Sequence, residues 1–175
     1  VHGIPSKERV LQEGDIISID TGVSYSGFFG DAACTFAVGE ISEDRQRLLD
    51  ITLESLHRGV NAVRAGATLG DIGHAIESLV IPSGFGLVRD YAGHGIGRRL
   101  HEAPQVPNYG RPGNGITLKA GMTFCVEPMV MSGSEEVKNL SDNWTVVTAD
   151  GSDAAHFEHS LLVTPDGAEI LTPWE

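Results

Sequence analysis

The chain has only two cysteines, Cys34 and Cys125, too few for a disulfide framework or a cysteine zinc cluster. That usage fits a reducing cytoplasm. No apolar run approaches the roughly 20 residues of a membrane-spanning helix, and no secretory leader is visible, so no membrane association is expected. Basic residues are scarce. Twelve Lys and Arg stand against 24 Asp and Glu, and the net charge of -12 argues against charge-driven binding of nucleic acid or anionic membrane. No fixed-period repeat or low-complexity linker divides the sequence, which predicts one domain over residues 1–175. The chain opens on Val1 rather than Met, and a fragment or clipped product is the expectation.

What is present suffices for a core, since 41% of the residues are hydrophobic, and disorder is excluded on that ground. The most informative stretch is Ile16 to Phe36, which reads as a β-hairpin: a β-branched strand over Ile16–Thr21, turn chemistry over Ser24–Gly27, and a returning strand over Phe28–Phe36. A turn centred between Tyr25 and Ser26 sets Asp20 directly opposite Asp31. Opposed side chains on an antiparallel pair lie about 5 Å apart, and two like charges there repel by about 3 kcal/mol at an effective dielectric near 20. Solvent, a shared proton or a cation between the groups each relieves that repulsion. The apolar flanks (Ile17, Ile19, Phe28, Phe29, Ala32, Ala33) favour the cation, whereas a water-facing hairpin with an off-centre turn needs none.

Leu49, Leu53, Leu56, Val60 and Val63 form one face of an amphipathic helix ending at Gly66. Thr68 and Asp71 then spell a capping box, and Leu69, Ile72, Ile76 and Leu79 continue a second helix to Pro82-Ser83-Gly84. Beyond Pro82 the texture turns to glycine, proline and short strands. Gly93–Gly97 reads as a glycine-rich corner and Pro104–Gly115 as a loop. Strands are expected over Met122–Val126, Asn143–Thr148 and His156–Thr164, with Ile170-Leu171 closing the chain.

Glu127 and Glu158 lie in or at the end of apolar strands, where an ionised carboxylate costs several kcal/mol unless paired. A salt bridge is the usual answer. The shortage of Lys and Arg shifts weight toward a metal, and an oxygen-rich donor set with the glycine-flanked His94 suits Mn, Fe or Co.

Several segments together resemble type I methionine aminopeptidase: Val1-His2-Gly3-Ile4-Pro5, Ile19-Asp20 followed by Gly30-Asp31, Gly93-His94-Gly95-Ile96-Gly97-Arg98, Leu100-His101-Glu102, Gly121-Met122-Thr123-Phe124-Cys125-Val126-Glu127-Pro128-Met129 and Phe157-Glu158-His159. They span nearly the whole chain in that family's order. The resemblance implies the α/β (α+β) pita-bread fold, a curved antiparallel sheet with covering helices. It also implies a centre of two divalent ions (Co, Mn or Fe, with Zn as an alternative) on the concave face. By the same resemblance Asp20 binds one ion, Asp31 and Glu158 bridge both, and His94 and Glu127 bind the other.

The implied activity is removal of the initiator methionine from the N-termini of nascent polypeptides by metal-activated water, with the ribosome as a further partner and a monomer in the cytoplasm. Glu127 is then the proton acceptor, His101 the group at the carbonyl oxygen, and His2 the group that orients the peptide or assists the leaving amine. Trp144 and Leu100 are implied as walls of the methionine pocket. Cys125 is expected to pack beside the metal rather than bind it.

Some positions depart from that pattern. Leu100 stands where the family usually has phenylalanine, Phe157 where it often has tyrosine, and Ser6 where it often has aspartate. The family's segment of strands and a helix ahead of the His2 position is not in the sequence. A proline-type aminopeptidase or dipeptidase shares the five ligand types, and a non-catalytic binding module on the same fold is the reading from another class.

Overall fold

A computed structural model describes residues 1–174. The chain runs β1 (Ile16–Tyr25), β2 (Phe28–Ala37), α1 (Glu43–Ala62), α2 (Leu69–Val80), β3 (Gly86–Leu87), β4 (Gly93–Gly95), β5 (Glu102–Val106) and β6 (Thr123–Val126). It continues through β7 (Met129–Met131), β8 (Val137–Asn139), β9 (Val146–Thr148), β10 (Ala154–His156), β11 (Glu158–Val163) and β12 (Ala168–Ile170). The main sheet is antiparallel, in the order β1-β2-β11-β6-β4-β5, with β12 also paired to β11. A smaller sheet runs β10-β7-β3, and β8 pairs with β9. This curled sheet with two helices is the expected pita-bread arrangement.

The predicted hairpin is present, but its turn lies one residue later than expected. Ser26 and Gly27 take φ of 50° and 82°, the left-handed pair that a two-residue hairpin turn demands, so Tyr25 faces Phe28. Asp20 therefore pairs with Ala33, and Asp31 with Gly22, rather than with each other. The error is two register positions. Because strand side chains alternate with period two, it leaves both carboxylates on the same face as diagonal neighbours.

Both helices form where the periodicity places them. Ser42 caps α1 by accepting from the Arg45 N–H at 3.2 Å. Thr68 and Asp71 make the reciprocal capping box at α2. Leu48, Leu56, Ile72, Ile76 and Val80 are fully buried and pack with Phe124, Val126 and Leu161 of the sheet. Gly59 allows a close approach of both helices and the sheet: a Cβ there would stand 3.0 Å from both Ile76 and Val126.

Three sequence expectations need correction. The long strand expected over His156–Thr164 is two strands: β10 ends at His156 and pairs with β7, and β11 starts at Glu158 and pairs with β2 and β6. The change of partner at Phe157 lets neighbouring residues serve two sheets. The corner at Gly93 is a strand, and β5 occupies the start of the expected loop at Pro104. Glycine makes the first possible, because a Cβ at Gly93 would collide with the Cys125 carbonyl oxygen and one at Gly95 with that of Ala103.

β1 is an edge strand of the main sheet. Ile19, Val23 and Tyr25 of β1 and Phe28 and Phe36 of β2 alternate onto the face away from Asp20 and Asp31, and all five are exposed.

Candidate metal centre

Four strands of the main sheet deliver side chains to one place. β1 supplies Asp20, β2 supplies Asp31, β4 supplies His94 and β11 supplies Glu158, while Glu127 follows directly on β6. Pairing explains the convergence: Glu158 faces Ala33, Ser160 faces Cys125, and Gly95 faces Phe124. Alternation then sends Asp31, Glu158, Cys125 and His94 to the site side, and Phe124, Val126 and Leu161 to the helices. Asp20, Asp31, His94, Glu127 and Glu158, with His2 and His101, line one cavity of about 450 Å³.

Donor atoms of Asp31, His94, Cys125 and Glu158 all lie within 4.8 Å of one another. His94 Nε2 is 3.8 Å from Asp31 Oδ2 and 3.5 Å from Glu127 Oε1. The Nδ1–H of His94 donates to the Gly95 carbonyl at 3.0 Å. A carbonyl only accepts, so this bond fixes the tautomer and leaves the Nε2 lone pair facing the carboxylates.

The electrostatics of the cluster are those of acids crowded together out of water. Burial, then the Asp31 and Asp20 charges, pushes Glu158 up to about 8. Burial, then Asp31, pushes Asp20 up to about 6. Glu127 is raised by burial, then by Glu158, Asp20 and Asp31. Burial lowers His94.

Among the described residues no lysine or arginine lies within ion-pair reach of these carboxylates. Asp31 Oδ1, Glu127 Oε1 and Glu158 Oε1 are buried and have no hydrogen-bond partner. Oxygen atoms left so, beside a neutral imidazole, form a donor set that fits divalent cations of the Mn, Fe or Co type. Cys125 lies beneath them. Burial pushes its thiol up, and its Sγ is 3.4 Å from Ser160 Oγ, in keeping with a packing role.

The remaining residues singled out in the sequence surround this cluster. His101 is exposed at the cavity mouth, with its ring edge-on to His94 at 4.2 Å. His2 is half-buried between Trp144, stacked at 4.7 Å, and Tyr91, edge-on at 5.7 Å. Its carbonyl accepts from the Val146 N–H at 3.0 Å, which ties the segment to β9. Trp144 is 54% exposed and touches the site through His2 rather than through the cavity wall. Leu100 lies over Gly22, whose added Cβ would be 3.0 Å from Leu100 Cδ1 and 3.6 Å from Asp31 Oδ1.

A family model for metallopeptidase family M24 matches residues 1–165. The chain belongs to that family. Within the M24 peptidases it is 55% identical over 172 residues to the methionine aminopeptidase of Clostridium acetobutylicum, covering 98% of this chain and 69% of that one. The crystal structure of methionine aminopeptidase from Thermotoga maritima superposes with a TM-score of 0.95 at 51% identity, over 97% of this chain and 68% of that one. Prolidase from Pyrococcus furiosus superposes less well, with a TM-score of 0.75 at 26% identity over 97% of this chain and 44% of that one. M24 membership implies divalent metal binding, which agrees with the unpartnered oxygens of the site. No helix among the described residues is long and apolar enough to cross a membrane.

Four residues that position the site carry no signal in the local sequence. Ser160 and Thr35 are buried hydroxyls that grip the backbones of Asp31 and His156, Asn108 Nδ2 donates to the Glu127 carbonyl at 3.0 Å, and His156 faces the Glu127 carboxylate. A serine or threonine in a strand bears no mark of such a role. His156, two residues from Glu158, becomes suspect only once the break at Phe157 is visible.

Proposed function

We propose that this single-domain chain removes the N-terminal methionine from nascent proteins and peptides, hydrolysing the first peptide bond in a divalent-metal-dependent reaction. The observation that carries this reading is the gathering of three orphaned buried carboxylate oxygens, His94, His101 and His2 around one cavity. The two groups of similarity, to methionine aminopeptidases at about half identity and to prolidases at about a quarter, support methionine over proline specificity.

Asp20 would hold one ion, Asp31 and Glu158 both, and His94 and Glu127 the other. When bound, two divalent cations (Co, Mn or Fe, with Zn as an alternative) supply Lewis acidity, making water a better nucleophile near neutral pH and polarising the scissile carbonyl. Glu127 accepts the proton released as water attacks. His101, exposed at the mouth, donates a hydrogen bond to the carbonyl oxygen as charge develops there. His2, braced by Trp144 and Tyr91, orients the peptide N–H and assists departure of the new amine. Leu100, over Gly22 beside Asp31, and Trp144, which reaches the site through its stacking on His2, would border the methionine side chain, whose unbranched shape gives a discrimination of about 1 to 3 kcal/mol per methylene.

The partner is the emerging N-terminus of a nascent chain at the ribosome, and the protein works as a cytoplasmic monomer. The net charge of -12 supports contact through the nascent peptide rather than through RNA. Hydrolysis of Met-Ala-Ser and of Ala-Pro-Ala, each with Mn or Co and with a chelator, tests the proposal. Metal-dependent cleavage of Met-Ala-Ser alone is expected; cleavage of Ala-Pro-Ala instead would assign it to the proline peptidases, and cleavage of neither would leave a binding module.

A further inference from the structure

His156 is buried, 5% exposed, and its Nε2 has no hydrogen-bond partner. That atom lies 3.8 Å from Glu127 Oε2. The other oxygen of the same carboxylate, Oε1, is the one that faces His94 Nε2 at 3.5 Å and is itself without a partner. The two oxygens of Glu127 thus look at two different imidazoles, His94 and His156.

Several contacts fix His156 in that place. β10 pairs with β7 so that His156 faces Met129, which lies just past the Glu127-Pro128 corner. Thr35 Oγ1 accepts from the His156 N–H at 2.8 Å and donates to the His156 carbonyl at 2.8 Å, clamping the residue at both backbone groups. Thr35 is held in turn by Ser18 Oγ at 2.8 Å. Asn108 holds Glu127 from its backbone carbonyl, which leaves the carboxylate end to be fixed from elsewhere.

We propose that His156 is a positioning residue for Glu127: its Nε2–H donates to Oε2, and this sets the carboxylate so that Oε1 points into the cluster. The present gap is longer than a hydrogen bond, and the bond is proposed for the catalytic complex, in which such contacts tighten. A carboxylate can only accept, so the facing nitrogen must carry the hydrogen, which selects the Nε2–H tautomer of the imidazole. A fixed outer partner of this kind raises metal affinity by holding the ligand in its bound orientation.

The inference rests on the proposed role of Glu127 as a ligand, and the test separates the two. Mn(II) binding to the purified protein is measured by calorimetry, and the visible absorption of the Co(II)-loaded protein is recorded, for the parent, Glu127→Ala, His156→Gln, His156→Leu and His156→Met. Thermal melts establish which variants fold. If Glu127→Ala folds and binds Mn(II) like the parent, the ligand assignment itself fails. If it loses binding, the His156 series decides the role of the imidazole.

Loss of the donor is expected to weaken Mn(II) binding about 10- to 100-fold in His156→Leu and His156→Met and to alter the Co(II) spectrum. His156→Gln, which keeps an N–H donor, restores both to near the parent. Parent-like affinity in a folded apolar variant would overturn the proposal. So would His156→Gln behaving like His156→Leu, which would make the imidazole a ligand instead of a donor. Failure of both apolar variants to fold would assign His156 to stability alone and overturn the proposal as well.

Discussion

Ser160 and Asp31 grip each other across the β2–β11 pair: Ser160 Oγ accepts from the Asp31 N–H at 2.9 Å and donates to the Asp31 carbonyl at 2.8 Å. One hydroxyl thus reaches both backbone groups of a candidate bridging ligand, beside Glu158 in the same sheet, and Thr172 Oγ1 also donates to the carbonyl at 3.2 Å. Ser160→Ala leaves the buried Asp31 N–H without its partner, while the carbonyl keeps the Thr172 hydroxyl as a donor, at a cost of about 1 to 3 kcal/mol. Urea unfolding should show that loss, and Mn(II) titration should show weaker binding, because Asp31 is no longer held in place.

Metal should stabilise the fold as well as activate it. A cation at a hundredfold excess over its Kd adds about 2.7 kcal/mol, which for a domain of this size is about 5 to 10 °C in Tm. Differential scanning of the protein with Mn(II) and with a chelator checks this. Asp31→Ala should abolish both the shift and peptidase activity.

His101→Ala should separate binding from turnover. The side chain is exposed at the cavity mouth and is placed to assist the carbonyl oxygen, so Mn(II) affinity stays near the parent while kcat falls about 100- to 1000-fold. Full turnover by the variant would remove His101 from the mechanism.

Gly95→Ala is expected to destabilise by about 1 to 3 kcal/mol or more, since its Cβ would meet the Ala103 carbonyl oxygen, which belongs to the paired strand and cannot rotate away. The flanking glycines of His94 serve strand packing first. Chemical denaturation of Gly95→Ala against Gly66→Ala, a position with open space but φ of 89°, separates crowding from backbone strain.

The α2 cap gives a pH dependence. Asp71 accepts from the backbone N–H groups of Thr68 and Gly113 and from the Thr68 hydroxyl, which holds its carboxyl below the usual value of 3.8. A group whose pKa is lowered on folding stabilises above its unfolded value, and the contribution is lost as pH falls through the folded one. The stability difference between the parent and Asp71→Asn should therefore be full at about pH 6 and shrink progressively below about pH 4. Thr68→Ala should cost about 1 kcal/mol at about pH 6 through loss of the cap, and the cost should shrink at low pH because the Thr68 hydroxyl also donates to the Asp71 carboxylate.

Much of this was legible in the chain because it is local chemistry. Periodicity set α1 and α2, Thr68 and Asp71 announced their cap, and the excess of Asp and Glu over Lys and Arg pointed to cations as partners for buried carboxylates. The Asp20–Asp31 pairing was misplaced by two positions because Ser26-Gly27, not Tyr25-Ser26, supplies the left-handed turn. The shared face survived, since strand alternation has period two.

What the sequence determined alone was the kind of atoms available: acids in apolar strands, one glycine-flanked imidazole and few bases to neutralise them. Only the tertiary structure decided which atoms meet. The split at Phe157 that sends His156 to one sheet and Glu158 to another, the hydroxyl clamps of Ser160 and Thr35, and the approach of β4 to β6 through Gly93 all depend on strands far apart in the chain. No local preference encodes them, because each is a choice of partner made when distant strands share a sheet.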